Sequence, residues 1–330
     1  FIGENIRLIY DVLVYTHVNR VPGLLLLVDV EKVFDSVAWT FIDKCLHYFR
    51  FGPDMIRWIK TFYKDISACV FVNGKYSSWF NIERGCRQGD PCSPYIYLIC
   101  AEILSSIIRQ NSDIKGLNIN NIEVLLSQFA DDTSLFLDGS EKSLVQCIRS
   151  LEYFASISGL RINREKTQVV WIGSMKNSSV RYMRDANFVW NPGVFRVLGV
   201  LFSTDIGRIV DINYHDKLRT IQQVLNIWSK RQLTPLGRIT VTKTLAMSKI
   251  VHLFMNIPDP PPQFMDELNE AFFLFLWDNK RAKINKKIVC LPYEMGGLRM
   301  LNVQSFLACM KIQWLRRLVT VSRHHQHWLY

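Results

Sequence analysis

Residues 125–137 read LLSQFADDTSLFL, and the aspartate pair inside that apolar stretch constrains the fold more than any other feature of the chain. Leu125, Leu126 and Phe129 precede Asp131 and Asp132, and Leu135, Phe136 and Leu137 follow them. Two short apolar runs joined by a polar tip predict a β-hairpin carrying adjacent carboxylates. Acidic groups in apolar surroundings are costly unless a cation or a donor compensates them, and neighbouring carboxylates repel. A divalent cation meets both demands, because hard cations take oxygen ligands from few protein carboxylates. An exposed Asp-Asp turn is the alternative reading of these residues taken alone.

A second stretch, LLLLVDVEKVFD at 24–35, narrows the choice. Its unbroken apolar run ends in Asp29 and fits a strand buried on both faces, although periodicity alone leaves a short core helix open. Asp29 at the end of such a strand can face the Asp131–Asp132 hairpin from a neighbouring strand. Three carboxylates from two strands form the kind of cradle that holds two divalent ions about 3.5–4 Å apart for phosphoryl transfer. Asp29 alone also reads as an N-cap for the segment after it, which leaves the set unexplained.

The order of these blocks is specific. DVEKVFD (29–35), RQGDPCSP (87–94) and FADD (129–132) resemble motifs A, B and C of reverse transcriptases. GLRINREKTQ (159–168) resembles motif D, and FRVLGVLFS (195–203) motif E. FIGENIRLIYDVL (1–13) and LPYEMGGL (291–298) are similar to segments of non-LTR, LINE-type retrotransposon polymerases, so the resemblance covers essentially the whole chain. It implies an α+β right-hand polymerase: palm and partial fingers over 1–205, an antiparallel sheet backed by helices, then an all-α thumb over 206–330. It further implies RNA-directed DNA synthesis on an RNA template from a DNA primer or target, with dNTPs as substrates. An upstream endonuclease and further fingers are expected in the intact chain, and work in the nucleus.

Residue roles follow from the same match. Asp29 and Asp131 would hold two Mg²⁺ ions, Mn²⁺ being able to substitute, with Asp132 a weaker ligand and the Val30 carbonyl completing one shell. Phe34 would pack under the incoming sugar and collide with a ribose 2′-hydroxyl. Gln88 and Gly89 would contact the incoming nucleotide and the template. Lys166 matches a lysine that donates a proton to pyrophosphate, although Arg161, Arg164 and Lys166 also read as a solvated basic strip. Asp35 reads as a cap for the next helix, and Phe34 also as an ordinary core residue. Asp90 stands where the family often has Cys, and Val33 where it often has Ala. Rival readings are an inactive nucleic-acid-binding relic and a group II intron maturase; a viral RNA polymerase would usually show Gly-Asp-Asp.

Charge adds an independent pointer. The 330-residue chain carries a net +11, and nearly all of it is C-terminal: residues 1–205 hold 22 basic and 21 acidic side chains, residues 206–330 hold 18 and 8. KRAKINKK (280–287) concentrates Lys280, Arg281, Lys283, Lys286 and Lys287, a pattern suited to phosphate contacts and counterion release. No apolar run reaches about 18 residues, so no membrane-spanning helix is expected. The eight cysteines form no CxxC pair, and His324, His325 and His327 lie near Cys309 alone, which argues for free thiols rather than structural zinc. The chain opens on Phe and reads as an internal piece of a longer product.

Spacing predicts helices over 4–19, 39–49, 53–65, 93–110, 141–158, 214–231, 235–256, 263–277 and 305–321. Asn73-Gly74 predicts a type I′ hairpin within 68–82, and 116–124 a further strand pair. Residues 169–172 and 195–202 read as strands, and Gly159 as a helix stop.

Overall fold

The computed structural model describes residues 1–320, so Val321 at the end of the last expected helix and the three C-terminal histidines lie outside the described residues. The chain forms two compact units, one of residues Tyr15–Pro192, the other of Phe1–Val14 with the chain from Gly193 onward. The first unit is built on a five-stranded sheet in the order Val189–Trp190, Gln168–Gly173, Pro22–Val28, Asp132–Leu137, Leu126–Phe129. Every neighbouring pair is antiparallel except the outermost, Gln168–Gly173 with Val189–Trp190.

The leucine run takes the centre because it is buried almost throughout. Leu24, Leu26 and Val28 share one face and one core with Leu135, Leu137, Val169 and Trp171. Helices Trp39–Tyr48, Ser93–Gln110 and Glu141–Ser158 add Phe41, Leu104 and Leu151 to that core. Each fully buried side chain of this size contributes about 1.5–3 kcal/mol. The helix Glu141–Ser158 starts where Ser140 accepts from the Ser143 N–H at 3.2 Å, and ends at Gly159, φ +83°. The expected Asn73-Gly74 turn has positive φ at both residues, as a type I′ hairpin requires.

The second unit differs in detail from the sequence reading. Residues 195–202 form a hairpin, Phe195–Val197 with Val200–Phe202, rather than one strand. Leu198 and Gly199 turn it with φ of +49° and +82°. The unit also takes in Phe1–Val14, which the expected division placed with the sheet. With the hairpin included, its C-terminal part begins about a dozen residues before the expected boundary at 205/206. The reason is Asn213, buried in the helix Arg208–Tyr214, whose side-chain amide accepts from the Leu201 N–H at 3.0 Å and donates to the Leu201 carbonyl at 2.7 Å. That clamp ties the hairpin to the helices that follow.

The helix expected over 214–231 is Lys217–Ser229, and a further short helix, Arg208–Tyr214, precedes it where none was expected. The stretch 235–256 is interrupted by a π-turn at Thr242–Ala246 and a 3₁₀ turn at Met247–Lys249. Thr242 and Thr244 there bond back to the carbonyls of Arg238 and Thr240, a pattern that bends helices. Helices Pro262–Leu276 and Val303–Thr320 complete the unit. No described helix is long and apolar enough to cross a membrane. The eight cysteines are free; Cys45, Cys86, Cys100 and Cys147 are buried, while Cys92 and Cys309 are exposed.

Candidate active site

The hairpin 126–137 closes on the pair Phe129–Asp132, leaving Ala130 and Asp131 as its two-residue tip. Ala130 has φ +52°, a conformation costing a residue with a Cβ of order 1–3 kcal/mol. Behind the tip, Ser105 of the helix Ser93–Gln110 donates to Gln128 at 2.6 Å, and Gln128 donates to Thr133 at 3.3 Å. These bonds pin the hairpin to the helix layer while Asp131 and Asp132 stay exposed.

The central strand delivers Asp29 beside them. Its last ladder pair with the hairpin is Val28–Thr133, so one step further Asp29 falls opposite Asp132. Strand side chains alternate, which puts Asp29 and Asp132 together on the face away from Leu26 and Val28. The backbone of Asp29 is held from its other side. Its N–H donates to Thr167 Oγ1 at 3.3 Å, its carbonyl accepts from the Asn163 N–H at 2.8 Å, and Val30 bridges Ile162. In an extended chain the Val30 carbonyl then faces the opposite way, toward the hairpin side.

Electrostatics records the gathering. Burial raises the pKa of Asp29, the Lys166 charge opposes that rise, and Asp131 and Glu31 add to it. Asp132 reaches solvent, yet the protein packed around it raises its pKa, helped by Asp131 and then Asp29. Asp29, Asp131 and Asp132 are thus close enough to act on one another, and Lys166 is close enough to act on Asp29. The donors are carboxylate and carbonyl oxygens, which suit a hard divalent cation. Among the described residues no three His, Cys, Asp or Glu side chains form a group that could hold a metal ion by themselves.

Phe34 is half-buried, its ring 5.2 Å from that of Tyr97, which lies near enough to Asp131 to feel its charge. The Phe34 carbonyl accepts from the Cys86 N–H, joining this segment to the loop with Gln88 and Gly89. Both loop residues are exposed, and Gly89 has φ +87° with open space where a Cβ would stand. Asp90 shapes the loop: its carboxylate accepts from the Cys92 N–H at 2.9 Å and pairs with Arg87 at 3.3 Å. Asp35 lies inside a short helix, Val33–Ser36, and the next helix, Trp39–Tyr48, has no side-chain cap, so the capping expectation for Asp35 is corrected.

Lys280, Arg281, Lys283, Lys286 and Lys287 are all exposed in the second unit. Lys280 pairs with Asp278 at 3.4 Å, and Lys286 stands 5.1 Å from the centre of the Phe273 ring. Sequence reasoning missed Asn163 and Thr167, which hold the Asp29 backbone, and Tyr97, which supports Phe34. The first two lie in the same ten-residue block as Lys166; nothing in their spacing announces a contact across more than 130 residues.

A mixed sheet that carries an Asp-Asp hairpin beside a strand-end aspartate is the frame of a nucleotide polymerase. The profile of the family "Reverse transcriptase (RNA-dependent DNA polymerase)" matches residues 9–200, and the chain belongs to that family. Family members use divalent metal ions. Relatives that match most of the chain come from non-LTR retrotransposons. The transposon TX1 149 kDa protein of Xenopus laevis is 26% identical over 323 residues, covering 96% of this chain and 24% of that protein. The Pol polyprotein of the R2DM element of Drosophila melanogaster is 24% identical over 334 residues, covering 98% of this chain and 30% of that protein. The chain thus spans less than a third of either relative. Among solved structures, apo telomerase from Candida tropicalis aligns with a TM-score of 0.45 at 11% identity, over 96% of this chain and 55% of that one.

Proposed function

We propose that the chain is the RNA-directed DNA polymerase core of a non-LTR retrotransposon, extending a DNA 3′ end on an RNA template. The observation that carries the reading is the approach of Asp29 to the 131–132 tip along one ladder, with Lys166 acting on Asp29. Asp29 and Asp131 would hold two divalent ions, Mg²⁺ with Mn²⁺ able to substitute, and Asp132 and the Val30 carbonyl would supply further oxygens. Ions bound there would lower the pKa of a primer 3′-hydroxyl and stabilise a pyrophosphate leaving group.

The remaining residues bind, orient and select. The Phe34 ring, braced by Tyr97, forms an apolar wall that offers a ribose 2′-hydroxyl no hydrogen bond, which favours deoxynucleotides. Gln88 and Gly89 approach the nucleotide and template, glycine permitting close backbone contact. Lys166 offers a proton to the departing pyrophosphate. The sheet unit acts as palm with partial fingers, and the helical unit as thumb, its exposed 280–287 strip following phosphates by charge and shape. In the intact element this would be target-primed copying at a nicked chromosomal site in the nucleus, with endonuclease and further fingers supplied elsewhere in the polypeptide.

Primer extension on an RNA template with dNTPs and Mg²⁺, run on the full-length polypeptide, tests the reading. Asp131→Ala should abolish extension, and Phe34→Ala should admit ribonucleotides. Extension by Asp131→Ala at the wild-type rate would overturn the assignment.

A further inference from the structure

Between the helix Pro53–Phe62 and the loop with Gln88, the chain folds into two small ladders, Ser67–Ala68 with Phe80–Asn81 and Phe71–Val72 with Lys75–Tyr76. This ribbon keeps its large apolar side chains outside. Phe71 is 59% exposed, Tyr76 72%, Trp79 69% and Phe80 50%. The Phe71 and Tyr76 rings stand together, 4.6 Å between centres. Two-stranded ribbons that bury little are marginal by themselves, and a contiguous exposed apolar patch marks a contact surface.

Two observations identify the contact. A cavity of about 810 Å³ runs from Phe80 to Arg84, Arg87 and Gln88, so the Phe80 end of the patch opens onto the loop assigned to template and nucleotide. Exposed cations also accompany it: Lys64, Lys75 and Arg84 stand against Asp65 and Glu83, while Arg87 is paired with Asp90. Exposed rings set among cations match single-stranded nucleic acid, whose bases stack on aromatic faces while Lys and Arg follow its phosphates.

We propose that the 67–81 ribbon is a stacking platform for the unpaired template RNA that has yet to be copied. Bases stack on Phe71, Tyr76 and Trp79, Lys75 and Arg84 neutralise phosphates, and the cavity leads the strand toward Gln88. This rests on the polymerase reading, and the experiment separates the two. The full-length polypeptide is titrated with two RNA/DNA hybrids of equal paired length, one blunt and one with a 5′ RNA overhang of about ten nucleotides. The wild type should bind the overhang hybrid more tightly.

Tyr76→Ser and Trp79→Ser should each lose about tenfold on the overhang hybrid and nothing on the blunt one. Tyr76→Phe and Trp79→Phe, which keep the ring, should keep the affinity. Lys75→Gln should lower the slope of log affinity against log salt by about 0.7, on the overhang hybrid only. The platform is refuted if the Ser variants bind the overhang hybrid like the wild type, or if the wild type shows no preference. It is equally refuted if those variants change only self-association, which would assign the patch to a second copy of the chain. Failure of the wild type to bind either hybrid would instead remove the polymerase reading, and the platform with it.

Discussion

Replacing Gly85 with alanine separates two roles that a glycine can play, and Gly89 supplies the control. Their backbones are nearly alike, φ +90° and +87°. An alanine at either position incurs the conformational cost of that region, of order 1–3 kcal/mol. Their surroundings differ. A Cβ on Gly89 would meet nothing within 4 Å, whereas one on Gly85 would lie 2.9 Å from the Cα, carbonyl carbon and oxygen of Asp35. Backbone cannot swing aside as a side chain can, so the two segments must part. That strains three hydrogen bonds: Gly85 N–H to the Val37 carbonyl at 2.8 Å, Trp39 Nε1 to the Gly85 carbonyl at 2.9 Å, and Cys86 N–H to the Phe34 carbonyl. At about 0.5–1.5 kcal/mol each, their weakening adds roughly 2–4 kcal/mol.

Gly85→Ala should therefore be destabilised by roughly 2–4 kcal/mol more than Gly89→Ala, read from urea unfolding at matched slopes. The same displacement moves Phe34, so Gly85→Ala should also discriminate less well against ribonucleotides. Equal destabilisation of the two variants, within about 0.5 kcal/mol, would refute the steric argument and leave φ as the whole effect.

Three further outcomes are expected. Trp171→Ala should cost about 3–5 kcal/mol by urea unfolding, because the side chain is fully buried and Nε1 donates to the Val180 carbonyl at 2.8 Å. The hydrogen bond from Lys280, and then the Arg238 charge, hold the Asp278 carboxyl below the ordinary carboxylate range. A depressed folded pKa contributes stability above the unfolded value and loses it as pH falls through the folded one. The midpoint difference between wild type and Asp278→Asn should thus be full at neutral pH and fade below about pH 4. Thr167→Val should leave the Asp29 N–H without its acceptor and slow nucleotide addition while hybrid affinity holds, with Thr167→Ser restoring the rate; wild-type rates in the valine variant would remove Thr167 as a positioning residue.

What the sequence made legible was what local chemistry decides. The helix Ser93–Gln110 begins at Ser93-Pro94 and the helix Glu141–Ser158 ends at Gly159 because caps and breakers act within a turn. The Asp-Asp hairpin showed as two apolar runs about a polar tip. Leu198-Gly199 was not legible as a turn, since leucine seldom accepts positive φ and only the surrounding hairpin holds it there. Nor was the short helix Arg208–Tyr214, which lies just ahead of the expected one. At the site, residue types gave Asp29, Asp131 and Asp132. The bonds from Asn163 and Thr167 to Asp29 join segments far apart in sequence, and only tertiary packing brings them together.

The aim of the carboxylates follows from the packing of the core. Leu24, Leu26 and Val28 face the helices with Leu135 and Leu137, so strand alternation sends Asp29 and Asp132 to the other face. Sliding the Asp132–Leu137 strand by one residue would exchange its faces, driving Asp132 and Ser134 into the leucine layer and taking Leu135 and Leu137 out of it. The all-leucine stretch 24–27 is alike on both faces, so a slip there would move only Asp29 inward. An unpaired charge in such a layer costs several kcal/mol, and each displaced leucine about 1.5–3 more. The register that stabilises the sheet is therefore the one that brings Asp29 to the hairpin tip. A substitution that loosened those leucines would misplace the acidic groups even with every site residue intact.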